Sequence, residues 1–325
     1  MKLLKLVPDN TNIRFLRWRV PFYVVSMILI AASWGMVLTK GLNLGVDFVG
    51  GQMIRVTFQN TPAAPVAELR ETVGNLGFGE PIIQQFGKPN EVSIRMKLPE
   101  GSAQNADLAD QMARKITAAI KTDHPDARID GVDSVSGKVS GELFKTGMQA
   151  LLAAVVAISI YIWVRFEWQF GVGALFSLIH DVSLTLGLFA VTQMEFDLNI
   201  VAALLTLIGY SLNDTIVIYD RIRENMKKFR RMPMPELLDL SVNETLSRTM
   251  VTSLSVLITL LALLLLGPNV IFGFTAAITL GIFVGTYSSV YMAAPILIWL
   301  KVNPNSFVPA ENDIDRQDRL ARERP

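Results

Sequence analysis

The sequence contains no cysteine. That excludes disulfides, thiolate metal sites and a cysteine nucleophile, and leaves any exported domain to be held by its own core. There are two histidines, His124 and His180, no Walker loop and no cluster of metal-ligating side chains. The expectation is therefore a protein without enzymatic activity, catalytic residues, bound metal or cofactor. Charge is scarce as well: 18% of residues are charged, the formal net charge is +1, and no basic stripe carries interleaved aromatics. A nucleic-acid partner is excluded. What is plentiful is apolar surface, 51% of 325 residues, too much for a soluble chain of this length.

A helix needs roughly 20 apolar residues to cross a bilayer, and six runs satisfy this: Val20–Thr39, Thr146–Val164, Phe170–Thr192, Ile200–Asp220, Arg248–Leu266 and Val270–Leu300. Gly267-Pro268-Asn269 between the last two forces them antiparallel. The first run is longer than the core of a cleavable signal, follows residues 1–19 and precedes five further spans, so it reads as an uncleaved anchor. Short segments near the spans set the orientation. Lys2, Lys5, Arg14, Arg17 and Arg19 precede the first span. Arg221, Arg223, Lys227, Lys228, Arg230 and Arg231 fill the connector 221–247, whereas 193–199 and 267–269 carry no positive charge. Both termini, including the charged tail 301–325, are expected in the cytoplasm, and segment 40–145 on the extracytoplasmic side.

That segment alternates as strand, helix, strand, strand, helix, strand: Met53–Phe58, Pro65–Leu76, Pro81–Phe86, Glu91–Leu98, Asn105–Lys121 and Arg128–Val135. The order is that of a ferredoxin-like unit, with another small α+β arrangement as the alternative. The fold class expected is thus a six-helix membrane bundle with an α+β domain inserted between helices one and two. After Pro233 and Pro235, helical periodicity over Glu236–Arg248 runs without a breaker into the fifth span.

Ionisable groups inside spans are costly and need a reason. Asp214 in span four lies six residues before Asp220, roughly 9 Å inside the cytoplasmic edge, and Arg248 opens span five at the same end. The two are placed to pair directly or through water, with titration releasing them; a static salt bridge, or an arginine snorkelling to lipid phosphate, is the competing reading. His180 and Asp181, near the middle of span three, form either a proton relay or a neutral packing pair. Neighbours on a helix point about 100° apart, which argues against their sharing one small site. Tyr210, Ser211 and Asn213 surround Asp214 with polar groups that bond the carboxylate, line a wet cavity or glue helices together. Gly281 and Gly285 read as close helix packing.

Several stretches resemble the SecD/SecF family of the resistance-nodulation-division superfamily: Gly45-Val46-Asp47-Phe48-Val49-Gly50-Gly51 after span one, Arg165-Phe166-Glu167-Trp168, His180-Asp181-Val182, Gly209–Thr215 continuing to Asp220–Asn225, and Ser247-Arg248-Thr249. The resemblance implies six spans with a ferredoxin-like periplasmic domain after the first, in a bacterial inner membrane. It further implies a complex with SecD, YajC and the SecYEG channel, and an aspartate–arginine pair at Asp214 and Arg248 that responds to protons. On this reading the chain helps move a preprotein late in export at the expense of the proton gradient, with protons as the coupling ion. Half of a proton-coupled small-molecule or lipid exporter, and a non-transporting scaffold of the channel complex, are the alternatives.

Overall fold

The computed structural model describes residue 8 and residues 11–85, 87–97 and 106–304. Lys2, Lys5, the expected strand end Phe86, Leu98, the helix start Asn105 and the tail beyond 304 lie outside the described residues. Among the described residues are six helices long and apolar enough to cross a membrane.

The first is α1 (Arg19–Lys40), entered through a 3-10 turn at Phe15–Trp18. The backbone N–H groups of Ile13 and Leu16 bond the side chains of Asn243 and Asp239, each at 2.9 Å, which straps this entry onto a later helix. A short helix α2 (Val46–Val49) leads into β1 (Gly51–Phe58), α3 (Val66–Gly74), β2 (Ile82–Gln85), β3 (Glu91–Met96), α4 (Ala106–Asp123) and β4 (Ala127–Val135). These follow the order read from the alternation of apolar residues. The strands form one antiparallel sheet, β2-β3-β1-β4, with a register shift between Arg55 and Val56 where β1 meets β4. Ile54, Val56, Phe58 and Ile94 are buried against Leu69 and Val73 of α3 and Ile116 and Ile120 of α4. Burial of this kind contributes about 1.5–3 kcal/mol per large side chain, and the domain has this core in place of disulfides.

The chain then returns through α5 (Gly137–Arg165), α6 (Trp168–Thr192), α7 (Leu198–Lys228), α8 (Met234–Leu266) and α9 (Phe272–Ser288), and a π turn over Ser289–Ala293 leads into α10 (Ala294–Trp299). Three of these helices run past the expected apolar ends. α5 starts at Gly137, with the Ser136 hydroxyl accepting from the Val139 N–H. α7 continues beyond Asp220 to Lys228, and α8 begins at Met234, with Pro235 in its first turn, where a missing N–H costs nothing. Charged contacts hold the ends of α7 and α8 beyond the apolar stretch: Arg165 with Asp220 at 2.9 Å, Arg221 with Glu244 at 2.7 Å and Arg223 with Glu167 at 3.3 Å.

The last apolar run, expected as one span, is interrupted. At the π turn the Ala294 N–H reaches Ser289 O, and the carbonyls of Met292 and Ala293 accept from the hydroxyls of Tyr23 (2.8 Å) and Tyr219 (3.1 Å). Pro295 follows at once and cannot donate to the preceding turn, a usual cause of such a break. α6, α7 and α9 are largely buried, whereas α1, α5 and α8 face outward over most of their apolar stretch. Asp214, His180 and Asp181 therefore lie on inner helices, whereas Arg248 is on the outward-facing α8.

Candidate functional site

Asp214 is 3% exposed on α7. Its carboxylate accepts from the Ser253 hydroxyl of α8 at 3.4 Å. Ser253 is a hub, since its oxygen also meets Thr286 of α9 at 2.8 Å and receives the Tyr210 hydroxyl at 3.4 Å. Arg248 is exposed on α8, and among the described residues no ion pair to Asp214 is formed. Of the two expected forms of pairing, the direct one is absent in this state. Asn213 is exposed on the outer side of α7, so it does not join the carboxylate as expected. Of the three polar neighbours, Tyr210 reaches Asp214 indirectly through Ser253, and Ser211 turns elsewhere.

Ser211 points toward the second carboxylate. Asp181 is fully buried and takes three donors: Ser211 at 2.5 Å and Ser288 at 2.9 Å on Oδ2, and the His180 ring, whose Nδ1 lies 2.8 Å from Oδ1. The expectation that adjacent residues would not share a site fails here. The two side chains meet despite the rotation between their Cα–Cβ bonds. Ser177 extends the chain by donating to Ser288 at 2.9 Å. The His180 ring stands 5.6 Å from that of Tyr287, whose hydroxyl bonds Ser26 of α1.

Glycines make this proximity possible. A Cβ on Gly285 would stand 3.1 Å from Ser211 Cβ and 3.5 Å from Asp181 Oδ2, and one on Gly281 would collide with Leu207. The packing reading of these two residues thus has a consequence: it lets a carboxylate on α6 and a serine on α7 meet beside α9.

The motif after α1 forms a junction. The Gly45 N–H donates to Phe196 O at 2.8 Å, and Asp47 accepts from the Leu198 N–H at 3.0 Å, beside the Asp197 cap of α7. Phe48 packs edge-on against Phe144, with ring centroids 5.6 Å apart. Gly50 and Gly51 have φ of +76° and +125°, and a Cβ on Gly51 would strike the Met96 carbonyl. The other half of this junction, which sequence reasoning missed, is Arg95, which binds Glu195, Asn43 and the Leu44 carbonyl. Burial raises the carboxyls of both Glu195 and Asp197 above their ordinary values; for Glu195, the Arg95 guanidinium opposes the rise. Among the described residues no group of three or more acidic or histidine side chains could hold a metal.

Residues 115–303 match the family described as protein export membrane protein SecD/SecF, C-terminal, and residues 35–62 match the SecD/SecF GG motif. The chain is 43% identical to the protein translocase subunit SecF of Rhodobacter capsulatus, covering 93% of each chain. It is 45% identical to that of Cereibacter sphaeroides, over 92% of this chain and 93% of the relative. Among solved structures it is similar to SecDF of Thermus thermophilus, a translocon-associated membrane protein, with a TM-score of 0.81, 33% identity and 90% of this chain covered. It spans 39% of that longer chain.

Proposed function

Since the chain belongs to the SecD/SecF family of protein export membrane proteins, on its SecF side, we propose that it couples the proton gradient to late movement of a preprotein through the SecYEG channel, in complex with SecD and YajC. The observation that carries this is Asp214, a carboxylate buried in an apolar helix whose neighbours are hydroxyls. Such a group is cheap to hold when protonated and costly when ionised, so its charge is tied to how α7 and α8 sit. Arg248, displaced from it here, is the counter-charge that a shift of α8 would bring in or withdraw.

A second membrane subunit fits the outward faces of the same helices. Asn213 on α7 and Arg248 on α8 are exposed within otherwise apolar stretches, where lipid would leave them poorly solvated. SecD is the partner we assign to that face. The ferredoxin-like reading of the inserted domain is supported by the sheet order β2-β3-β1-β4; the basic connector 221–247, read as cytoplasmic by its charge, supports a periplasmic side for the domain, and the SecF relatives support a bacterial inner membrane. We assign no covalent chemistry and no cofactor to the chain.

The test is Asp214→Asn in membrane vesicles that retain SecD. The expected outcome is normal assembly with loss of the export increment that depends on the proton gradient. An unchanged increment at full expression would favour a scaffold.

A further inference from the structure

We propose that the His180–Asp181 pair is a second proton-binding site, and that Ser211, one helical turn from Asp214 on α7, is the positioning residue through which its occupancy reaches Asp214. The inference rests on the proton-driven reading above.

The site is built from three inner helices and closed by a fourth. Asp181 and His180 come from α6, Ser211 from α7, and Ser288 and Tyr287 from α9, with Ser26 of α1 behind Tyr287. Both members of the pair have no solvent exposure. The titratable groups facing them are Tyr287 on α9, with Tyr23 of α1 beyond it, and Asp214 and Tyr210 on the stretch of α7 that carries Ser211. Arg248 of α8 lies on the Asp214 side. Among the described residues no lysine or arginine forms an ion pair with Asp181, whose one basic neighbour is His180. With the imidazole neutral and Asp181 ionised, the site carries a net negative charge out of contact with water. One added proton removes that charge, whichever of the two groups keeps it.

The His180 Nε2 atom is buried and, among the described residues, meets no hydrogen-bond partner, which leaves it free to receive that proton. When a proton binds there, an Nε2–H bond forms, the Nδ1–H bond breaks, and its proton passes over the 2.8 Å contact to Asp181 Oδ1. The imidazole ends neutral in its other tautomer and the carboxyl ends protonated, so charge and atoms balance. The Ser211 and Ser288 hydroxyls then donate to a neutral acid instead of a carboxylate, and such bonds are roughly half as strong. The grip of α6 on α7 and α9 loosens.

Ser211 and Asp214 are three residues apart on α7, on neighbouring positions of one face and about 4.5 Å apart along the axis. A change in how Ser211 is held therefore moves the turn that carries Asp214. Gly285 keeps the contact open, since a side chain there would press on both Ser211 and Asp181.

The experiment is infrared difference spectroscopy over a pH titration of the full chain with its membrane partner in lipid nanodiscs. Two carboxyl signals are expected in the unsubstituted protein, one lost in Asp214→Asn and the other in Asp181→Asn. Ser211→Ala should shift the midpoint of the Asp214 signal by about half a pH unit, a roughly threefold change in proton affinity, and Ser211→Thr, which keeps the hydroxyl, should restore it. A spectrum unaltered by Asp181→Asn would overturn the second site. An Asp214 midpoint unmoved by Ser211→Ala would overturn the link, and it reads the link even if Asp181→Asn fails to assemble. Should both carboxyl signals appear while Asp214→Asn still supports gradient-driven export, the coupling reading fails and the proton site stands.

Discussion

Arg95 on β3 and Glu195 in the connector after α6 meet at 3.0 Å, and the same guanidinium donates to the Asn43 side chain and, at 2.8 Å, to the Leu44 carbonyl. One side chain of the sheet thereby holds both the exit of α1 and the connector between α6 and α7. Arg95→Ala leaves a half-buried carboxylate and a carbonyl without their donor, a loss of about 1.5–3 kcal/mol for a hydrogen bond to a charged group. The sheet core, which Arg95 does not enter, should stay folded. Hydrogen exchange should then show faster exchange at residues 43–47 and 193–197 with unchanged protection of β1 and β3; equal loosening of the strands would contradict this division.

The same junction has a pH dependence of known sign. The Glu195 carboxyl is raised above its ordinary 4.5, chiefly by burial and against the pull of Arg95, so the folded junction binds a proton more tightly than the opened one. Stability is then highest below the ordinary value and falls as pH rises through the raised one. Asp197, raised from 3.8 by burial, acts in the same direction. Exchange protection of residues 193–197 should decline as pH increases above about 4.5 after correction for intrinsic exchange, and Glu195→Gln should flatten the decline. A rise in protection over that range would reverse the argument.

Gly51 combines a φ of +125° with a Cβ position blocked by the Met96 carbonyl, whereas Gly77, at +74°, has open space around it. Gly51→Ala should cost about 1–3 kcal/mol or more, because strain and collision add, and Gly77→Ala about 1–2 kcal/mol from the left-handed backbone alone. Thermal unfolding of the two variants side by side separates the effects; equal shifts would mean that β1 moves away from Met96 at little cost.

Local periodicity made the helices and strands legible. Ile54, Val56 and Phe58 alternate with Met53, Arg55 and Thr57 on β1, and the spans are uninterrupted apolar runs, so both patterns show before any contact is known. Asp214 and Asp181 stood out by being charged in such runs. Their partners did not, because a serine in a span looks the same whether it bonds its own helix or a neighbour's carboxylate. Thr206 bonds the Ala202 carbonyl four residues back on its own helix, whereas Ser211, one turn and a half further on, reaches across to α6. In the case of His180 and Asp181, helical spacing alone pointed the wrong way. Arg95 was hidden for another reason: in sequence it is an outward residue of an alternating strand, and only the return of the chain at Glu195 gives it a role. The π turn was hinted at by Pro295, but its place depends on Tyr23 and Tyr219 arriving from two other helices.

That π turn supplies the last prediction. A Cβ on Gly173 of α6 would collide with the Tyr219 hydroxyl and Ile296, and would lie 2.9 Å from the Ala293 carbonyl that Tyr219 bonds. Gly173→Ala should therefore destabilise the bundle by about 1–3 kcal/mol, as overpacking does. Tyr219→Phe loses one buried hydrogen bond, about 0.5–1.5 kcal/mol, and also removes the atom that blocks the new methyl group. The two changes should then be less damaging together than their sum, with a coupling of at least about 0.5 kcal/mol, the lower end of the range for residues in contact. Denaturant unfolding in nanodiscs, followed by tryptophan fluorescence, measures all four corners of this cycle. Simple additivity would mean that the obstruction comes from Ile296 and the backbone of the π turn, which neither substitution relieves.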